Sequence, residues 1–344
     1  MIDYNQIIKI NNKNSKNKYL KKKIKLLFNF NYFQLKSYLE YHLNEKKISQ
    51  TNVNSDFDQI YQQISNIKKS DKLDLLIIGN EFNYVYQDEK FKITNFCSDL
   101  SNQIELIKSI KSKLPQIEVL FFNLPYLTNE NYINQNKSKI NEIINDFNIN
   151  LSKKCKKYNF HLFDYNSTIL NIGQNNFYSK KNYYLSKSLH SEEGCFEISR
   201  EISKIIKSIF FVRKKCLVLD LDNTLWGGIL GEDGIHGLKI SNSYEGEKYS
   251  NFQKYLKNLS NSGIILAIAS KNNLNDVKNV FKTNKNLILK LQDFSIIKAN
   301  WKPKFQNLNE IASELNIGKD AIVFFDDSKF ERDQMVKFNP EINV

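Results

Sequence analysis

The sequence predicts an α/β protein of two doubly wound, Rossmann-like domains, each on a parallel sheet. Three observations carry this. Short apolar runs at residues 73–78, 117–122, 216–219 and 264–269 have the length and continuity of strands buried on both faces. Stretches with helical periodicity separate them, in strand-helix order. At 344 residues the chain exceeds one average domain, and each of two domains can bury a core.

Residues 1–23 contain Lys21, Lys22 and Lys23 and little apolar periodicity, and read as a loosely docked terminus. The first domain, 24–210, opens with a strand over 24–28 and a helix over 33–43. A strong strand over 73–78 stops at Gly79. A helix over 99–112, a strand over 117–122, a long helix over 137–158 and a strand over 160–163 ending at Asp164 follow. A helix over 193–209 closes the domain. The second domain, 211–344, begins on the strand 216–219. An amphipathic helix over 247–262 stops at Gly263, and a buried strand spans 264–269. A helix over 276–281, a short strand over 294–297, a helix with Pro303 in its first turn running to Leu315, and a strand over 321–325 complete it.

Lys and Arg outnumber Asp and Glu by 50 to 37, a net charge of +13. The lysines alternate with Asn and Ile throughout, which reads as a solvated surface and not as a nucleic-acid face. Such a surface also suits an acidic protein or a phosphorylated substrate. Cys97, Cys155, Cys195 and Cys216 form no CxxC pair, and the four His residues have no zinc-ligand spacing, so a reducing, cytoplasmic setting is expected. The opening residues lack a signal-peptide pattern, and no apolar run is long enough for membrane insertion.

The chemistry concentrates in the second domain. Asp220 and Asp222, Ser270, and the pair Asp326-Asp327 each follow an apolar strand, and Lys304 starts a helix. Any one of these is an ordinary turn or cap. Together they put carboxylates, a hydroxyl and a cation where an open α/β sheet binds ligands, beyond the carboxyl ends of its strands.

This set resembles the haloacid dehalogenase (HAD) superfamily of aspartate-nucleophile phosphatases, whose first motif is Asp-x-Asp-x-Thr. The stretch Asp220-Leu-Asp-Asn-Thr-Leu-Trp-Gly-Gly-Ile-Leu-Gly-Glu-Asp-Gly234 is similar to the FkbH subfamily, as are Asn300-Trp-Lys-Pro-Lys304 and Phe325-Asp-Asp-Ser-Lys-Phe-Glu-Arg332. The resemblance implies a HAD-like second domain, and between Gly227 and Gly246 there is no room for a large cap. It implies Asp220 as nucleophile, Asp222 as acid then base, and Thr224 holding the turn by hydrogen bonds. Ser270 would donate to a phosphoryl oxygen, and Lys304, favoured over Lys302 by its spacing from Trp301, would offset charge. Magnesium would sit among Asp220, the Asp222 carbonyl, Asp326 and Asp327. Trp226, Gly227, Gly228, Ser270, Lys271 and Asn272 are the candidate substrate-binding residues. FkbH-like proteins take a glyceryl unit from 1,3-bisphosphoglycerate and deliver it as a thioester to an acyl carrier protein. That implies a phosphorylated small-molecule donor and a carrier-protein partner.

Cys216 lies four residues before Asp220 on the same strand and reads as a core thiol, not an acyl carrier. The first domain resembles the SGNH-hydrolase-like domain that often precedes the FkbH region. Leu27-Phe28-Asn29-Phe30 offers no serine nucleophile, and the residue three before His190 is Lys187. His190 therefore reads as structural and the domain as non-catalytic.

Overall fold

In the computed structural model, which describes residues 3–14, 19–53, 59–81, 93–126, 134–211, 213–241 and 244–344, the chain divides into two units. These are Met1–Phe210 and Phe211–Val344. Each is built on one sheet whose strands all run parallel.

The first unit runs α1 (Tyr4–Asn14), β1 (Leu20–Phe28), α2 (Phe33–Glu45), β2 (Ile48–Val53), α3 (Ile60–Ser65), β3 (Leu75–Gly79), α4 (Ile93–Lys113), β4 (Glu118–Phe122), α5 (Asn134–Tyr158), β5 (His161–Phe163), α6 (Tyr165–Ile172), α7 (Gln174–Phe177), α8 (Lys180–Ser186) and α9 (Glu192–Phe210). Its strand order is β2-β1-β3-β4-β5, so the direction of winding reverses between β1 and β3. Every residue of β3 is buried, as a central parallel strand covered on both faces requires. Gly79 ends it for a steric reason: a Cβ there would lie 2.4 Å from Cε1 of Phe28.

The lysine-rich opening is better ordered than its composition suggests. β1 starts at Leu20 instead of 24 and takes in Lys21, Lys22 and Lys23. It pairs with β2, a strand the periodicity does not mark because Ile-Ser-Gln-Thr-Asn-Val is mostly polar and lies at the sheet edge. Lys22 forms an ion pair with Asp74 at 3.1 Å, and the Lys23 amide donates to the same carboxylate at 2.8 Å. Ahead of the strand, α1 buries Ile7, and Asn11 Nδ2 donates to the Ser37 carbonyl at 2.9 Å. Residues 1–2 and 15–18 of the expected loose segment lie outside the described residues. Other strand and helix ends shift by a few residues; α4, for example, starts at Ile93 instead of 99.

The second unit runs β6 (Cys216–Leu219), α10 (Leu230–Gly237), α11 (Tyr244–Asn261), β7 (Ile265–Ser270), α12 (Leu274–Thr283), β8 (Phe294–Ala299), α13 (Lys304–Glu314), β9 (Ile322–Phe325) and α14 (Lys329–Phe338). Strand order is β8-β7-β6-β9. β6 is central, and the switch in winding falls between β6 and β9. Alternation along β6 feeds two cores. Cys216 and Val218 pack with Leu308, Ile311 and Met335 on one face, and Leu219 packs with Leu256, Val277 and Val280 on the other. Among the described residues no cap domain interrupts the fold, and α10, kinked at Gly234 (φ 61°, ψ 177°), is the one helix between β6 and α11. Among the described residues no helix is long and apolar enough to cross a membrane.

Because Ile7 is fully buried, Ile7→Ala should lower the stability of the first unit by about 2–5 kcal/mol, read from the urea unfolding midpoint. An unchanged midpoint would show that α1 does not dock in solution.

Candidate active site

Parallel pairing brings the ends of β6 and β9 together, and the Asp220 amide continues the ladder by donating to the Phe325 carbonyl at 3.0 Å. Asp220 and Asp326 therefore leave neighbouring strands side by side at the switch point. Both are buried, and so is Lys304 at 4% exposure. The Lys304 ammonium lies 2.9 Å from Asp220 Oδ1 and donates to Asp326 Oδ2 at 2.7 Å. Pro303 is the residue before the helix and not part of its first turn, and Lys304 is the first residue of α13. Lys302 is on the surface, paired with Glu310. A cation at a helix N-terminus is disfavoured by the helix dipole; here two carboxylates offset that.

These contacts set the charge states. Burial pushes the Asp220 carboxyl above its ordinary range; Lys304 partly offsets this, and the Asp326 carboxylate adds to it. Burial by itself would pull the Lys304 ammonium down, but Asp220 and Asp326 outweigh it and hold it above its ordinary value. Ser270 is buried, with its hydroxyl in hydrogen-bonding reach of Asp220. Asp326 Oδ1 accepts from the Ser328 amide at 2.9 Å. Arg332 Nη1 donates to the carbonyls of Asp326 and Asp327 at 2.7 and 2.6 Å, which fixes the turn after β9. One carboxylate oxygen from each of Asp220, Asp326 and Asp327 lies within 4.8 Å of the others. An all-oxygen set of this kind fits a hard divalent cation such as magnesium.

Asp222 is held from three directions. Its Oδ1 accepts from Trp226 Nε1 at 2.9 Å and the Leu230 amide at 3.1 Å, and its Oδ2 accepts from Asn272 Nδ2 at 2.8 Å. Two of the expected substrate-binding residues thus bond to Asp222. Trp226 is fully buried, with its ring 6.0 Å from that of Phe281; Asn272 is spent on Asp222 and on the Ser270 hydroxyl, at 3.1 Å. Lys271 is ion-paired with Glu331 at 2.6 Å. Gly227 is paired both ways with the Lys239 backbone, and a Cβ there would come 2.7 Å from Tyr249. Gly228 has φ +96° and donates its amide to Asn223 Oδ1 at 3.0 Å. Both glycines serve the turn.

Thr224 differs too. Among the described residues its hydroxyl has no hydrogen-bond partner; the turn is held by Asn223, itself at φ 53°, because an Asn side chain can accept from the backbone across a turn. The Asp-Asn-Thr spelling carries that signal. Cys216 is buried and its thiol is pushed up to about 12 by burial.

In the first unit His190 is fully buried. Its Nε2 lies 2.9 Å from Glu81 Oε1, and the Tyr165 hydroxyl is bonded to both groups. Glu81, two residues past the end of β3, is an acid that spacing near His190 does not reveal.

The strand order, the carboxylates at the switch point and the absence of a large cap define a HAD-like fold for the second unit. No protein-family model and no curated protein matches the sequence. Among solved structures, the chain is similar to the N-terminal part of the protein BF1531 from Bacteroides fragilis, which contains a phosphatase domain and is complexed with Mg. The TM-score is 0.79 at 25% identity, covering 100% of this chain and 93% of that one. The acetylxylan esterase Axe2 from Geobacillus stearothermophilus matches with a TM-score of 0.38 and 11% identity over 54% of this chain and 94% of its own.

Removing Lys304 would leave Asp220 and Asp326 buried without a cation. Lys304→Met should cost about 3–5 kcal/mol of stability in EDTA, and magnesium should restore more of the melting temperature in the variant than in the parent protein. Equal melting in EDTA would mean the ammonium does not hold the carboxylates together. At pH 8 iodoacetamide should leave Cys216 unmodified until denaturant is added; labelling of the native protein there would show β6 to be open.

Proposed function

We propose that the chain is a magnesium-dependent phosphatase in which Asp220 is the nucleophile. One observation carries this: Asp220 lies at the switch point, buried against the Lys304 ammonium and grouped with Asp326 and Asp327. The similarity to a magnesium-complexed structure containing a phosphatase domain supports it. Asp220, Asp326 and Asp327 would hold the ion, together with the Asp222 carbonyl. When bound, magnesium supplies charge that lets an anionic nucleophile approach an anionic phosphoryl group.

An Asp220 oxygen attacks phosphorus while the bond to the leaving oxygen breaks, giving an aspartyl phosphate. Asp222 gives its proton to the leaving oxygen. It then takes one from the water that attacks the same phosphorus, which releases phosphate and restores Asp220. Lys304 offsets charge on the nucleophile and on the transferring group, and Ser270 donates to a phosphoryl oxygen. The complete set argues against a docking module without catalysis.

The finer reading is that the donor is 1,3-bisphosphoglycerate and the product a glyceryl thioester on an acyl carrier protein, in the cytoplasm. The carrier's phosphopantetheine sulfur would bond to the acyl carbon as the carbon–oxygen bond to the acyl phosphate breaks, the thiol proton leaving with that phosphate, while the Asp220 site hydrolyses the remaining phosphate ester. This half rests on the resemblance of the Asp220–Gly234, Asn300–Lys304 and Phe325–Arg332 motifs to FkbH proteins. A plain phosphatase of a small or protein-bound phosphate is the simpler alternative. The basic surface suits such anions, and no nucleic-acid partner is proposed.

Asp220→Asn should cut phosphate release by at least ~10³-fold with the circular-dichroism spectrum unchanged; near-normal turnover would remove the nucleophile assignment. For the finer reading, a phosphopantetheine-bearing carrier protein is incubated with the chain, magnesium and 1,3-bisphosphoglycerate, and its intact mass followed beside free phosphate. A glyceryl increment that Asp220→Asn loses supports acyl loading. Phosphate without an increment leaves the phosphatase alone.

A further inference from the structure

Asp222 needs a fixed direction if it is to trade protons with a substrate oxygen, because a general acid works only within hydrogen-bonding reach. A short carboxylate on a turn rotates freely unless something holds it. Here everything that holds it is donated by buried or backbone groups. Trp226 and Leu230 supply two N–H groups to Oδ1, and Asn272 supplies one to Oδ2. A carboxylate oxygen has two acceptor sites. Oδ1 is therefore filled, and among the described residues Oδ2 has one left, beside the Asn272 amide that also meets the Ser270 hydroxyl.

The clamp is itself anchored. Trp226 has no solvent exposure and packs against Phe281. The Leu225 carbonyl just before it accepts from Gln253 Nε2 at 2.8 Å, and Gln253 Oε1 accepts the amides of Ile288 and Leu289 at 2.9 and 3.1 Å. Leu230 is the first residue of α10, so the segment over 227–237 and the Asp222 carboxylate are joined by a direct bond.

We propose that Trp226 and Asn272 are positioning residues that aim the open site of Asp222 Oδ2 at the leaving oxygen, with α10 as the third member of the clamp. The inference rests on the aspartate-nucleophile reading. It reassigns two residues whose sequence position suggests substrate contact, and it makes the Trp226 indole N–H, not its ring, the functional group.

Trp226→Phe stays aromatic but deletes the indole N–H together with part of the ring volume at a fully buried site; Asn272→Ser shortens the other donor and serves if the first variant does not fold. Both are assayed, with magnesium, on two substrates. p-Nitrophenyl phosphate has a leaving group that departs without a proton, and glycerol phosphate has one that needs it. Each variant should lose about tenfold or more of kcat on glycerol phosphate, with KM within about twofold, and much less on p-nitrophenyl phosphate. Magnesium affinity should be unchanged. Equal losses on both substrates, or lowered melting temperature with normal kcat, would make the clamp merely structural and overturn the proposal. A parent protein that turns over neither substrate, or an Asp220→Asn variant as active as the parent, overturns the phosphatase reading and the clamp with it; a parent that depends on Asp220 while the variants keep full glycerol phosphate turnover overturns the clamp alone.

Discussion

The second unit is organised by one constraint: the buried carboxylates of Asp220 and Asp326 cannot be gathered with the exposed Asp327 without a cation to hold them. Lys304 meets that need for two of them, with its ammonium within 3 Å of both Asp220 and Asp326. Much else follows from this. β6 and β9 must be neighbours so that the acids leave the sheet together, and α13 must begin close enough to their ends for its first side chain to reach in. The pairing is costly in desolvation and is not by itself a source of stability. Its value is positional, since it keeps a carboxylate buried and aimed beside a positive charge.

Around that centre the chain uses its polar residues to fix backbone. Arg332 ties down the carbonyls of Asp326 and Asp327, Asn223 closes the turn after β6, and Gln253 braces the turn from behind. Each is a donor or acceptor spent on an otherwise unpaired backbone group, as burial demands. A site built this way needs little movement of its own side chains before substrate arrives.

Much of this was legible in the sequence, for physical reasons. Buried parallel strands show as unbroken apolar runs, so β3, β4, β6 and β7 are visible without structure, and so is the acid that follows β6. β2 was not, because an edge strand can be polar on most of its length. The docking of α1 was missed because one buried Ile7 and one bonded Asn11 make no periodicity. Within the site, residue types were readable but their directions were not. Trp226, Gly227, Gly228, Lys271 and Asn272 stand beside the acids in sequence, and a substrate role is the natural expectation. Only the coordinates reveal that two of them hold Asp222, two shape the turn and one is paired with Glu331.

The first unit makes the contrast clear. Its winding reverses between β1 and β3, the place where a doubly wound sheet opens a crevice for ligands. There the described residues bond to one another. Asn29 exchanges two hydrogen bonds with the Glu81 backbone, both at 2.8 Å, and the Glu81 carboxylate is taken up by Tyr165 and the fully buried His190. In the second unit the same topological position carries buried acids, a cation, and in Asp327 an exposed carboxylate open to solvent. Leu27-Phe28-Asn29-Phe30 holds no serine, His190 has no exposure, and this acid-histidine pair ties the segments after β3 and β5 to the loop before α9.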